Sequence, residues 1–286
     1  MHIGKSFRTL KREMLYRYEG PRVIRTEYRR FFGRPLAKTS TTLTAKIAHR
    51  MIHLHKADHR TFARLSDKFL VRDFVKERIG EQYLVDLIWH GADPAEIPFD
   101  DLPDRCMAKT NHASGTNLLL KRPVDRQDTV RKFTKWLKMN YYFVGREIQY
   151  KDITPRILIE RFLDDGSVNG PLDYRFWCFN GKPEVVQVDN NAHSINPFFD
   201  LDWNPLDLGY RNFGSDIAVP QPPNLKEMIE IASALSSGFD FVRVDMYNLR
   251  GEIIFGEMTF TPVSGLFMLA PSEWDRILGE RWPASA

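Results

Sequence analysis

The chain predicts an α+β protein with largely antiparallel sheets, and three features of its 286 residues carry that expectation. Tyr174–Phe179 and Glu184–Val188 are strand-like runs around Asn180-Gly181, the strongest short hairpin signal present. Phe239–Met246 and Glu252–Met258 flank a second glycine-bearing turn, Asn248-Leu-Arg-Gly251. Arg105–Lys109 and Asn117–Lys121 bracket a small polar loop, Thr110–Thr116, and helical segments fall between these pairs instead of alternating with single strands.

Taken in order, residues 5–18 and 22–33 read as short basic helices parted by the turn Glu19-Gly-Pro-Arg22. A Ser/Thr-rich linker, Lys38–Thr44, leads to a helix around Ala45–His55. Ser66-Asp67 caps a predicted helix through Arg78, with Phe69, Val71, Phe74, Val75 and Ile79 as its apolar positions and Gly80 as its stop. A strand over Tyr83–Trp89 and a Pro/Asp-rich loop through Pro103 follow. Val130–Met139 is a predicted helix, and Pro155–Phe162 a buried strand ending at Asp164-Asp-Gly166. Residues 190–222 form a long loop, which its length alone reads as either functional or disordered. Leu225–Leu235 and Ser272–Leu278 complete the predicted helices.

Hydrophobic content of 43% with 27% charged residues is that of a soluble globular chain. Cys106 and Cys178 sit in apolar stretches without metal spacing, as in a reducing compartment. No apolar run reaches the roughly 20 residues that span a bilayer, and the first residues lack a secretion leader's apolar core, so a cytoplasmic protein is expected. The net charge of +4 is uneven: residues 1–60 hold 15 Lys and Arg against 4 Asp and Glu, the remainder 26 against 33. That basic end fits an anionic partner, and equally a solvated helical face. Nucleic acid is disfavoured, since no binding module accompanies the charge. His53, His55 and His59 lack the further ligands a metal site needs and read as surface histidines.

Strand alternation puts Arg243 and Asp245 on one face, and Glu257 and Thr259 on one face. If those faces meet, two carboxylates, a hydroxyl and a guanidinium converge. Hard oxygen donors of that kind hold Mg²⁺ together with nucleotide phosphates. Alone, the same residues read equally as a solvated hairpin with an Asp–Arg surface pair. The Thr110–Thr116 loop is likewise either a phosphate-covering flap or an ordinary turn.

Several motifs in order resolve these alternatives. Asp67-Lys-Phe-Leu-Val-Arg72, Leu102-Pro-Asp-Arg-Cys-Met-Ala-Lys109, Ile157-Leu-Ile-Glu160-Arg-Phe-Leu163, Asp173-Tyr-Arg-Phe176 and Phe255-Gly-Glu-Met-Thr-Phe-Thr-Pro262 resemble the TupA-like branch of the ATP-grasp proteins over roughly residues 60–270. That branch is associated with polysaccharide and teichuronopeptide biosynthesis. The resemblance implies an ATP-grasp fold: two antiparallel-rich α+β subdomains clasping ATP, with a basic helical N-terminal extension over residues 1–60. Residues 61–103 would begin the core, 104–163 form the small ATP-clasping subdomain, and 164–286 form the C-terminal subdomain with the metal site.

The resemblance also implies residue roles. Lys68 and Lys109 would contact phosphates, and Ser114 and Gly115 of the flap would cover them. Glu160, Arg161, Phe162 and Leu163 would read adenine, and Asp173 the ribose or a phosphate-bound cation. Asp245, Glu257 and Thr259 would hold Mg²⁺, as two ions. Arg243, Lys109 and Arg175 would be the catalytic cations. Thr259 stands where many ATP-grasp enzymes carry Asn. The implied activity is ATP-dependent carboxylate–amine ligation through an acyl phosphate, joining an amino acid or amine to a uronic-acid carboxyl. The implied partners are an acidic polysaccharide or lipid-linked glycan acceptor, with peripheral contact to an anionic membrane through residues 1–60. Asp189–Ser215, with Asn190, Asn191, His193, Asp200, Asp202, Trp203 and Arg211, is the expected acceptor loop or else a solvated one. A glycan-modifying phosphotransferase and a non-catalytic nucleotide- or glycan-binding protein remain alternatives on the same fold.

Overall fold

The computed structural model describes residues 20–168, 170–190, 195–211 and 218–282. Its larger sheet runs in the order β10-β9-β5-β6-β7. The strands are Glu252–Thr259, Phe241–Leu249, Asp173–Phe179, Lys182–Asp189 and Phe198–Phe199, and all neighbours are antiparallel. On one face Tyr174, Phe176, Val186, Val188, Val242, Val244 and Met246 form a core. It is closed by Leu65 of α3 (Arg60–Ser66), Val71 and Val75 of α4 (Val71–Ile79), and Met228 and Leu235 of α7 (Leu225–Ser236).

The opposite face is divided along its length. At one end Trp177, Phe179, Val185, Phe198 and Phe241 are covered by α1 (residues 20–32), α2 (Leu43–Leu54) and α8 (Glu273–Arg281). At the other end the same alternation presents Asp173, Arg175, Asp189, Arg243 and Asp245.

The β9–β10 pairing contains an irregularity that sets up this polar end. Phe255 lies opposite Met246, yet Glu257 lies opposite Asp245 and Thr259 opposite Arg243, so Gly256 is an extra residue in β10. Such a bulge exchanges the two faces of the strand beyond it. Ile253 and Phe255 point into the core before Gly256, and Met258 and Phe260 do so after it. Glu257 and Thr259 are thereby turned to the Arg243–Asp245 face. A Cβ on Gly256 would sit 3.0 Å from the Asp245 carbonyl oxygen, so a larger residue is crowded here.

The smaller sheet has the order β1-β4-β2-β3, from Leu87–Gly91, Ile157–Arg161, Arg105–Thr110 and Asn117–Lys121. Cys106, Ala108, Leu120, Ile157 and Ile159 pack against Phe133 of α5 (Arg126–Leu137). Met107, Lys109, Leu158 and Glu160 are left on the other face. A short α6 (Tyr142–Gly145) and a two-stranded pair, β8 (Gly209–Tyr210) with β11 (Leu269–Ala270), complete the described elements.

Some sequence expectations are corrected. The helix expected over Ser66–Arg78 is two helices, because Ser66 ends α3 and the Asp67 Oδ1 accepts from the Phe69 and Leu70 N–H groups to start α4. The strand expected at Tyr83–Trp89 is shifted to Leu87–Gly91, since a one-turn helix over Glu81–Tyr83 follows Gly80, whose φ is +103°. Part of the N-terminal "extension" is core: α2 buries Leu43, Ile47 and Met51, and Arg50 donates to the Phe241 and Phe260 carbonyls and pairs with Asp240. The expected helix over residues 5–18 lies outside the described residues. Residues 61–103 are shared, with α3 and α4 on the large sheet and β1 in the small one.

Gly256→Val would press a branched side chain against the Asp245 carbonyl and the Tyr247 ring and so disturb the bulge. We expect a loss of about 1–3 kcal/mol, the scale for overpacking, read as a lowered urea midpoint.

Candidate functional site

The α3–α4 turn docks on the loop between β2 and β3. The Lys68 N–H donates to the Asn111 carbonyl at 3.1 Å, and Lys68 Nζ to the Ala113 carbonyl at 3.1 Å. Both legs of that loop are fixed. Asn111 bonds the backbone of Thr154 and Arg156, a His112 ring nitrogen meets the Met139 carbonyl, and the Thr110 and Thr116 hydroxyls meet at 2.6 Å. Only the tip, Ser114-Gly115, is exposed, with Gly115 at φ +71°. A pinned loop with an open glycine tip is what backbone capture of an anion requires.

Lys68 Nζ lies 3.8 Å from Glu257 Oε2, and Lys109 Nζ 2.5 Å from Glu160 Oε2. Arg72 of α4 approaches Glu160 from the other side at 3.6 Å. Residues from both sheets therefore meet across one cleft. Burial lowers the Lys68 pKa, against the pull of Glu257 in the opposite direction. Glu257 keeps 43% of its side chain exposed in the cleft. Desolvation raises its pKa, but Lys68 and then Arg243 outweigh that and hold the carboxyl below its usual value. Its Oε1 accepts from the Thr259 hydroxyl at 3.0 Å.

Arg243 grips Asp245 with two bonds, Nε to Oδ1 at 2.7 Å and Nη2 to Oδ2 at 2.5 Å. Burial works against this guanidinium, yet Asp245 raises its pKa further, so the pair stays ionised on that side. Arg175 is turned to Asp173 at 2.8 Å and Asp189 at 2.5 Å, and lies 3.9 Å from Asp245. Desolvation, then Asp245, raises the Asp173 pKa to about 7, and its Oδ1 is buried without a hydrogen-bond partner among the described residues.

The chemistry of Asp245, Glu257 and Thr259 suits Mg²⁺: every donor is a hard oxygen, and Glu257 is open to the cleft. Asp245 would share its oxygens between a cation and Arg243, which the second lone pair on each permits. Asp245 and Glu257 are the pair of carboxylates here. Among the described residues no group of three or more His, Cys, Asp or Glu is arranged for a metal.

The residues expected to read adenine are partly committed. Glu160 is held by Lys109 and Arg72, and the Arg161 N–H donates to the Asp86 carbonyl at 2.9 Å. The Arg161 side chain pairs with Asp86 and Glu252, and Phe162 lies under the Arg105 guanidinium. In the expected acceptor loop, Asn191, His193 and residues 212–215 lie outside the described residues. Trp203 stacks on Phe199 at 4.3 Å and donates to the Val219 carbonyl, so it serves the fold. Asp200 likewise turns the local chain, accepting from the Asp202 and Asn204 N–H groups.

One cluster escaped sequence reasoning. Glu147 is buried, and its Oε1 accepts from the Thr261 hydroxyl at 2.5 Å. That hydroxyl in turn accepts from Gln149 Nε2 at 2.7 Å. Tyr141 and Tyr150 stack edge to face beside it, with centroids 5.1 Å apart. Burial, and then the negative charge of Glu257, raise the Glu147 pKa to about 7 against the Thr261 bond and Arg146. The only sequence cue was a lone Glu among tyrosines, without periodicity.

The TupA-like ATP-grasp family matches residues 45–282, and the chain belongs to that family. Membership points to ATP-dependent, ligase-type activity. No curated protein matches the chain in sequence. Similar solved structures include the D-alanine–D-alanine ligase of Bacillus anthracis complexed with ATP, at 11% identity over 73% of this chain and 60% of that one, TM-score 0.43. The D-alanine–D-alanine ligase of Helicobacter pylori is similar at 14% identity, 77% and 61% coverage, TM-score 0.42. The macrocyclase MdnC of Microcystis aeruginosa, bound with precursor peptide MdnA, stands at 10%, 71% and 54%, TM-score 0.34. The chain thus covers less than two thirds of each of these proteins. Among the described residues no helix is long and apolar enough to cross a membrane.

Glu147 supplies a pH test. Its carboxyl pKa is raised in the folded state, so the folded state is favoured while Glu147 is protonated. That contribution is complete below the unfolded value and is lost as pH rises through about 7. Glu147→Gln should therefore raise stability by up to about 3 kcal/mol near pH 8 and change little near pH 4. Urea unfolding at the two pH values checks this.

Proposed function

We propose that this protein is an ATP-dependent carboxylate–amine ligase, attaching an amino acid or amine to a uronic-acid carboxyl of a surface polysaccharide or its precursor. The observation that carries the reading is the convergence of Lys68 and Lys109 with Arg243, Asp245 and Glu257 across one cleft. Family membership supports the same chemistry.

In this reading the acceptor carboxylate attacks the γ-phosphorus of ATP, ADP leaves, and an amine nitrogen then displaces phosphate from the acyl carbon while losing a proton. Lys68 and Lys109 hold phosphate oxygens as point charges, and the Ser114-Gly115 tip closes over them. Asp245, Glu257 and Thr259 hold Mg²⁺, which neutralises phosphate charge when bound. Arg243, 3.8 Å from Glu257 Oε1, faces the charge that develops during transfer. The Asp173 Oδ1, buried and unpartnered, suits a ribose hydroxyl.

An acidic acceptor has support of its own. Arg34, from the basic N-terminal segment, and Arg211, from the long loop, line one groove of about 700 Å³ with Phe32, Thr42, Phe267 and Met268. Phe267 meets Tyr210 edge to face at 5.5 Å. Arg243, Arg175, Asp189 and Asp245 all act on the Tyr210 hydroxyl, so the groove and the cleft share that wall.

Two outcomes test the reading. With Mg·ATP and glucuronic-acid oligosaccharides, hydroxylamine should trap a hydroxamate with release of ADP, and Asp245→Asn or Glu257→Gln should lower the rate by on the order of a thousandfold. ADP release without hydroxamate would instead indicate a phosphotransferase. Replacing Arg34 and Arg211 by Ser should weaken oligosaccharide binding by roughly tenfold at low salt and much less at high salt, measured by calorimetry.

A further inference from the structure

The charged groups of the cleft fall into pairs, with one exception. Lys68 faces Glu257, Lys109 and Arg72 face Glu160, Arg175 faces Asp173 and Asp189, and Arg243 faces Asp245. Glu147 is a further carboxylate, 9% exposed, and among the described residues it has no ion pair. The guanidinium on its own segment, Arg146, is turned to Glu27 at 3.2 Å and acts on Glu147 only through space, more weakly than burial does. Arg243 is committed to Asp245 by two bonds.

The hydrogen bonds around Glu147 all run toward it. Gln149 Nε2 donates to Thr261 Oγ1, and that hydroxyl spends its proton on Glu147 Oε1. This direction orients the Gln149 amide and leaves its Oε1 as an acceptor. That oxygen is fully buried and has no hydrogen-bond partner among the described residues, in a residue 1% exposed. A buried acceptor left unmade costs free energy, and so does a buried charge without its opposite. A cation with several N–H donors would satisfy both.

The place lies where such a cation is wanted. Glu147 feels both Glu257 and Arg243, so it borders the end of the cleft where phosphoryl transfer would occur. Tyr141 and Tyr150, both partly exposed, lie beside it edge to face with one another, aromatic rings attract cations, and the Tyr141 hydroxyl bonds Ser114 at the flap tip. The flap tip and this cluster therefore share one tyrosine.

We propose that Glu147, Gln149 and Thr261, beside Tyr141 and Tyr150, form the subsite that receives the ammonium group of the amine co-substrate. The inference rests on the ligase reading above, and it names the residues that recognise the second substrate. Thr261 is a positioning residue, fixing Glu147 through its hydroxyl. The Glu147 charge supplies the attraction and Gln149 Oε1 a second acceptor.

The test is equilibrium binding, which needs no acid substrate. Wild-type protein with Mg·ADP is titrated with methylammonium chloride and with each free amino acid, against equimolar potassium chloride, and followed by thermal shift and calorimetry. At least one amine should bind the wild type in excess of the salt control. Glu147→Gln should weaken it by on the order of tenfold or more, and Gln149→Leu by a few-fold. ADP affinity serves as the measure of an intact fold in both variants. Absence of amine binding to the wild type would overturn the proposal, as would a Glu147→Gln protein that binds the amine as tightly as wild type. Failure of the ligase reading looks different: no hydroxamate forms while amine binding persists.

Discussion

At Gly256 strand β10 carries one residue more than its partner, and the cleft depends on that extra residue. Before it Ile253 and Phe255 face the core, and after it Met258 and Phe260 do. Glu257 and Thr259 can therefore stand opposite Asp245 and Arg243 without removing a single apolar side chain from the core. A regular hairpin of the same sequence would have to choose between the core and the site. The bulge satisfies both within one strand, and glycine is the residue that fits against the Asp245 carbonyl.

Around that strand the structure balances charge locally. Each cleft cation has a carboxylate within 4 Å, and several of these groups are well buried. Removing one partner of such a pair is costly, because the other is left desolvated. The same arrangement makes the cleft responsive. Under the proposed ligase reading, a triphosphate entering between Lys68 and Lys109 would compete with Glu257 and Glu160 for the same ammonium groups, which those ion pairs hold in place. Glu147 is the exception to this balance, and burial lifts its carboxyl pKa to about 7.

Much of the site was legible residue by residue. Arg243, Asp245, Glu257 and Thr259 were placed on two strands by alternation, and Lys68 and Lys109 by their motifs. Their convergence follows from register, and register from a bulge that a hairpin pattern does not announce. Glu147 was invisible for a different reason. It lies in an irregular segment between α6 and a single helical turn, and its partner Thr261 is over a hundred positions away. The basic N-terminal segment is partly core, because charge along a chain does not report packing. Arg50 is basic and buried, held by two carbonyls and Asp240, while Arg34 reaches the groove beside Tyr210.

By itself the sequence determined the α+β class, most of the elements, the family and most of the charged side chains that meet in the cleft. These follow from local periodicity, turn chemistry and ordered motifs, which a linear chain displays directly. Only the tertiary structure decided which face Glu257 occupies, which carboxylates are already paired and which one is not. Those are properties of distances between segments remote in sequence. Desolvation and pairing act through space, and no spacing along the chain encodes them.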